Sequence, residues 1–188
     1  MSRYFPHAAY AEDQPLARTI LTVHVLSRGY TAGAVVGLGV FAVGGVYNQL
    51  RSAKASAPAP LTATLQSARL LRSAGTASAV GLALMGIALV GMMQGRDDIE
   101  WRDRAWRLMA NQGQLETDDW TYGGAAAGLI AVAARPQMKA VGAWRVVAGA
   151  AGLGSVVGTA GYLVWRHGVH GGKHAEYAVV DRPALSGL

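Results

Sequence analysis

Four stretches of this chain carry no charged residue: about 30–47, 73–93, 120–134 and 146–165. That pattern admits few folds. A helix needs about 20 mostly apolar residues to cross a hydrocarbon core of about 30 Å. Three of the stretches approach that length, and 120–134 is shorter. Soluble domains carry about 25% charged residues, whereas this chain has 15%, with 25 glycines among its 188 residues. The glycines recur at helical contact spacing, and small residues let helices in lipid touch backbone to backbone. The expected fold class is therefore all-α: a multi-pass membrane protein of four Gly/Ala-rich transmembrane helices with GxxxG-type packing. The expected contact positions are Gly33, Gly37, Gly81, Gly123, Gly124, Gly128, Gly154 and Gly158. The bundle is expected to be arranged around 120–134, whose mouth carries Asp118, Asp119, Trp120 and Tyr122.

Three regions follow. Residues 1–28 read as a polar N-terminal tail, 29–165 as the membrane domain, and 166–188 as a polar C-terminal tail. Within the first tail, Leu16, Ile20, Val23 and Leu26 recur along one face of a short amphipathic helix. Arg28, Gly29 and Tyr30 then mark an interface. The loop after the first span is rich in Ala, Ser and Pro and reads as a flexible connection. It holds Arg51, Lys54, Arg69 and Arg72 and no acid. The loop before the fourth span holds Arg135, Lys139 and Arg145, again without an acid. Between them, 94–119 is the acidic segment. Its residues 99–109 suit a helix lying flat on the membrane, anchored by Trp101, Trp106, Leu108 and Met109. Pairs at i, i+4 are expected between Asp98 and Arg102, Glu100 and Arg104, and Asp103 and Arg107. Basic short loops resist translocation, so the first and third loops should share one side of the membrane. Both termini and the acidic loop should lie on the other.

The net charge of +6 raises the question of nucleic acid. No basic cluster with interleaved aromatics is present, so the membrane is the better partner for those charges and no nucleic acid is expected. There is no cysteine, which excludes disulfides and thiol chemistry. His167, His170 and His174 have ligand-like spacing, but glycines interrupt the run and no carboxylate completes it, so no metal is assigned. No P-loop, dinucleotide fingerprint or nucleophile elbow occurs. The spans hold no ionisable group of the kind that relays ions or protons. The reading is a chain without catalytic residues or cofactor, not an enzyme.

The arrangement of four short Gly/Ala-rich spans resembles the translocase superfamily of the mitochondrial inner membrane. That superfamily comprises the preprotein and amino-acid transporter family and the related accessory subunit of respiratory complex I. Its signature sets a basic-acidic segment before the third span, followed by a small residue, Gly, three residues and Gly. Asp118-Asp119-Trp120 followed by Gly123-Gly124-x-x-x-Gly128 is similar. Two departures stand out: the acids lie closer to the glycine pair, and no arginine stands four residues before Asp118 or Asp119. The resemblance implies residence in the mitochondrial inner membrane, both termini facing the intermembrane space, and an internal targeting signal, which accords with the lack of a presequence pattern at the N-terminus. It implies a non-catalytic subunit of a hetero-oligomeric membrane assembly, foremost an accessory subunit of complex I. The alternatives are a preprotein translocase component or channel, or a small-solute transporter. Asp118 and Asp119 are then candidate partner contacts.

Overall fold

The computed structural model describes residues 4–52, 63–135 and 143–172. Among them every regular element is helical. Helix α1 spans Ala17–Ser52, α2 Ala63–Met93, α3 Asp98–Ala110, α4 Gln112–Ala133 and α5 Ala143–Leu163, which runs on into a π-helical turn over Val164–Val169.

The 36 residues of α1 make one helix about 54 Å long at 1.5 Å per residue. The boundary expected near residue 28 is absent: the amphipathic part of the tail and the first span are continuous. No proline interrupts 17–52, and Gly29 is held in the helix against the Gly81 carbonyl and Met85 of α2. The chain enters α1 through Pro15 and through Leu16, whose φ of 54° lies in the left-handed region.

What precedes α1 is a folded cap. Gln14, 2% exposed, accepts from the Ala8 N–H at 3.1 Å and donates to the Pro6 and Pro15 carbonyls at 2.9 and 3.1 Å. Ala17 and Ile20 pack with Ala105 and Met109 of α3, flanked by Phe5, Trp101 and Leu108. The Trp106 indole donates to the Ala8 carbonyl at 3.0 Å and its ring lies near His7. This corrects the expectation of a flat lipid-anchored helix. Met109 is buried in protein, and Trp101, Trp106 and Leu108 pack on the chain's own N-terminal segment. The solvated face of α3 carries Arg102–Asp98 at 2.8 Å and Arg107–Asp103 at 3.0 Å, as the spacing predicts, while Glu100 takes Arg96 at 3.0 Å in place of Arg104.

Among the described residues three helices are long and apolar enough to cross a membrane: Ala17–Arg51, Leu65–Met93 and Ala143–Val169. The stretch 120–134 falls in α4, which carries Glu116, Asp118 and Asp119 in its first half. Its apolar part, Trp120–Ala133, reaches only about 20 Å. Close approaches set the directions. Gly29 lies against Gly81 and Met85 while Gly37 lies against Ala74, so α1 and α2 are antiparallel. Gly124 lies against Gly158 while Gly128 lies against Ala150, so α4 and α5 are antiparallel too. The hub is α5, not α4. It touches α4, α2 and α1, because its small residues fall on several faces: Gly154 and Gly158 toward α4, Gly149 toward α2, and Gly152 toward Ser78 of α2 and Ala34 of α1. The N-terminal cap, α3 and the π-turn gather at one end of the bundle. The starts of α2 and α5 and the end of α4 gather at the other, around a cluster of Ala68, Leu71, Val132, Val146 and Ala150, and α1 runs toward the same end without joining it.

Candidate functional site at the acidic end of the bundle

The first turns of α4 are the polar part of an otherwise apolar bundle. Asn111 caps the helix by accepting from the Gln114 N–H at 3.2 Å. Gln114 and Asp118, four residues apart, then share a face toward α1. There Arg28 donates to Gln114 Oε1 at 3.0 Å and to Asp118 Oδ1 at 2.7 Å. One turn earlier on α1, His24 Nδ1 stands 3.5 Å from Asp118 Oδ2. Asp118 is 2% exposed. Two residues from Asp118, about 200° around the helix, Glu116 points to the far side, where Arg166 of the π-turn reaches it at 3.5 Å. Arg166 is also buried. The acidic turn of α4 is thus held between two guanidiniums, one from α1 and one from the end of α5.

Two hydroxyl bridges lie on the bundle side of these pairs. Thr31 meets Ser155 at 3.1 Å, and Thr121 meets Thr159 at 2.8 Å. Thr31, Thr121 and Thr159 also stand within hydrogen-bond distance of the carbonyl four residues back, and Ser155 of the Gly152 carbonyl. Each hydroxyl has one proton, so in each bridge one partner donates across to the other helix and the other donates to its own. The Tyr30 hydroxyl donates to the Ala148 carbonyl across the α1–α5 contact. A cavity of about 310 Å³ lies beside this layer, lined by Ser27, Tyr30, Thr31, Thr121 and Tyr122 among others. The Tyr122 hydroxyl is buried and has no hydrogen-bond partner among the described residues.

The expected contact glycines divide. A Cβ at Gly124 would overlap the Gly154 carbonyl, one at Gly128 the Ala150 carbonyl, one at Gly154 the Gly124 carbonyl and one at Gly158 the Trp120 carbonyl. Gly33 and Gly37 sit as tightly on Ala77, Ser73 and Ala74, and Gly81 on Gly29. Gly123 meets nothing within 4 Å; it lies off the α5 face, one residue around from Gly124. Asp118 is likewise not offered to a partner, since its carboxylate is enclosed and engaged by Arg28. Asp119 is half-buried and is not a lone charge either.

Sequence reasoning missed Arg28, His24 and the Glu116–Arg166 pair. The signal was present: polar residues at i, i+4 occur on two separate helices, 24 and 28 on one and 114 and 118 on the other. Reading residue 28 as the end of a tail hid the first pair. Chemically the layer is a set of paired charges, bonded tightly at Arg28–Asp118 and more loosely, at 3.5 Å, at His24–Asp118 and Glu116–Arg166. Among the described residues no group of three or more His, Asp or Glu could hold a metal. His170 packs edge-on against Trp165 at 4.4 Å, and His174 lies outside the described residues. Breaking a buried pair of this kind costs about 3–5 kcal/mol, so its plain consequence is to fix α4 between α1 and α5.

The family model of a protein of unknown function, DUF1757, matches residues 10–165. No curated protein and no solved structure matches the chain.

Proposed function

This chain belongs to the DUF1757 family, and from that premise we propose that it is a non-catalytic integral membrane protein acting as a structural subunit of a larger membrane assembly. The observation that carries the reading is the contrast between its two kinds of surface. The buried acids at the acidic end of the bundle are engaged with bases of this chain, while α1 beyond Gly37 presents a largely apolar surface that packs on no other described helix. Val40, Val43, Val46 and Leu50 are exposed there, and a Cβ added at Gly39, Gly44 or Gly45 would meet nothing within 4 Å among the described residues. Small residues on a membrane helix bring advantage where another helix comes close, so this segment suits a helix of a partner subunit. We take α4 to enter the bilayer as a fourth, short membrane segment sealed along α5 by Gly124, Gly128, Gly154 and Gly158.

Residence in the mitochondrial inner membrane, termini toward the intermembrane space, and a place as an accessory subunit of complex I complete the proposal. Their support is the resemblance of Asp118–Gly128 to the translocase superfamily and the confinement of the described carboxylates to one end of the bundle. A translocation component drawing basic peptides to its acidic loop is less well supported. The acids of α3 already pair with Arg18, Arg96, Arg102 and Arg107 of this chain.

Blue-native electrophoresis of membranes solubilised in mild detergent, with mass spectrometry of the band, tests the reading. The chain is expected in a large species with defined partners. Gly44→Leu should release it from that species while leaving the isolated chain as stable as before. Migration of the wild type as a lone small species overturns the proposal.

A further inference from the structure

The basic end of the bundle carries a second feature, which rests on the membrane reading above. Arg69 and Arg145 adjoin Ala68 and Val146 of the buried cluster there, Arg72 follows Leu71, and Arg135 lies one turn beyond Val132. Basic residues of α2, α5 and the end of α4 thus share one end of the bundle with this apolar knot. All carboxylates of the described residues belong to the N-terminal cap or to residues 97–119, so none of them neutralises this basic group. Arg72 also buries its Nε without a hydrogen-bond partner among the described residues. Arg145 lies over the Trp144 ring at 5.4 Å, a position suited to the membrane–water boundary.

Between α2, α4 and α5 a groove of about 260 Å³ opens beside this apolar knot. Leu70, Val132, Leu153 and Val157 line it, and Arg135 lies at its basic end. Val157 is exposed, so the groove faces outward, toward lipid. A helix is about 10 Å across, too wide for a space of this size, whereas a length of acyl chain fits. Basic pockets between membrane helices recruit acidic head groups.

We propose that this groove is a binding site for an anionic phospholipid. One acyl chain lies along Leu70, Leu153 and Val157, and the head-group phosphate is held by Arg135, with Arg69 and Arg72 adding positive potential. The phosphate supplies the counter-charge that the described residues do not place at this end. Each arginine near a membrane surface contributes about a fivefold preference for acidic lipid.

The test uses the full chain purified in detergent, with phosphatidylglycerol and phosphatidylcholine of identical acyl chains added separately and retention read by native mass spectrometry. Phosphatidylglycerol is expected to be retained at least tenfold better. Arg135→Gln combined with Arg69→Gln should reduce that preference below threefold. Arg104→Gln, on the exposed face of α3 at the other end, should leave it intact. Val157→Trp should reduce retention of phosphatidylglycerol by blocking the groove. Equal retention of the two lipids by the wild type overturns the proposal, whatever the variants do. So does an Arg104→Gln effect as large as that of the double variant. Failure to retain either lipid, together with solubility without detergent, would instead remove the membrane reading beneath it.

Discussion

At the scale of single residues, Asp118 decides most. Its carboxylate is enclosed, bonded to Arg28 and close to His24, so removing its charge leaves a guanidinium facing a neutral amide in a poorly solvated place. Asp118→Asn is expected to destabilise the chain by about 3–5 kcal/mol, and Arg28→Gln by a similar amount. The double variant should be less harmful than the two losses added together, because neither charge is then left alone. Thermal unfolding in detergent, read as a double-mutant cycle, checks this; strict additivity would mean the two side chains do not act as a pair. The sequence made Asp118 conspicuous but suggested the wrong use for it. Acids at the mouth of an apolar helix look available to a partner, and only the continuity of α1 through residue 28 reveals an internal one.

At the scale of elements, glycine spacing was legible and its centre was not. The pairs at 33/37 and 154/158 sit at helix contacts. However, the glycines of α5 serve several neighbours at once, and a linear pattern does not say how many faces a small residue will serve. Adjacent residues on α4 offer a sharp comparison. Gly124→Ala places a methyl on the Gly154 carbonyl, whereas Gly123→Ala points into open space. The first should cost about 1–3 kcal/mol, the usual penalty of forcing packed backbones apart. The second should be neutral or slightly stabilising, since alanine is the better helix former. Protein abundance and melting temperature of the two variants read the difference, and equal behaviour would contradict the α4–α5 contact. Helix α3 teaches the converse. Its charge spacing foretold two of its surface pairs, but nothing local shows that Met109 and the tryptophans meet the N-terminal cap rather than lipid.

At the scale of the whole molecule, the division of charge was the most readable property. The N-terminal cap, α3 and the π-turn lie at one end with all the described carboxylates, and helix ends with arginines and no acid lie at the other. The chain contains no cysteine, so single introduced thiols report sidedness without background. Cysteines at Tyr10, Arg104 and Gly171 should react with a membrane-impermeant maleimide from one face of sealed vesicles. Cysteines at Leu50 and Arg135 should react from the other. Labelling of Tyr10→Cys and Leu50→Cys from the same face would mean that α1 does not cross. The length of α4 is where hydropathy alone fell short: it shows where charge stops but not whether the remainder suffices to cross.

The Arg28–Asp118 bond joins residues 90 positions apart. At a synthesis rate of about 5–20 residues per second, the acid emerges on the order of 5–20 seconds after the base. Throughout that interval the first helix carries a guanidinium with no counter-ion of its own. The first helix can dock on α2 through Gly29, Gly33 and Gly37 in the meantime, but its buried base is neutralised only when the second half of the chain is made.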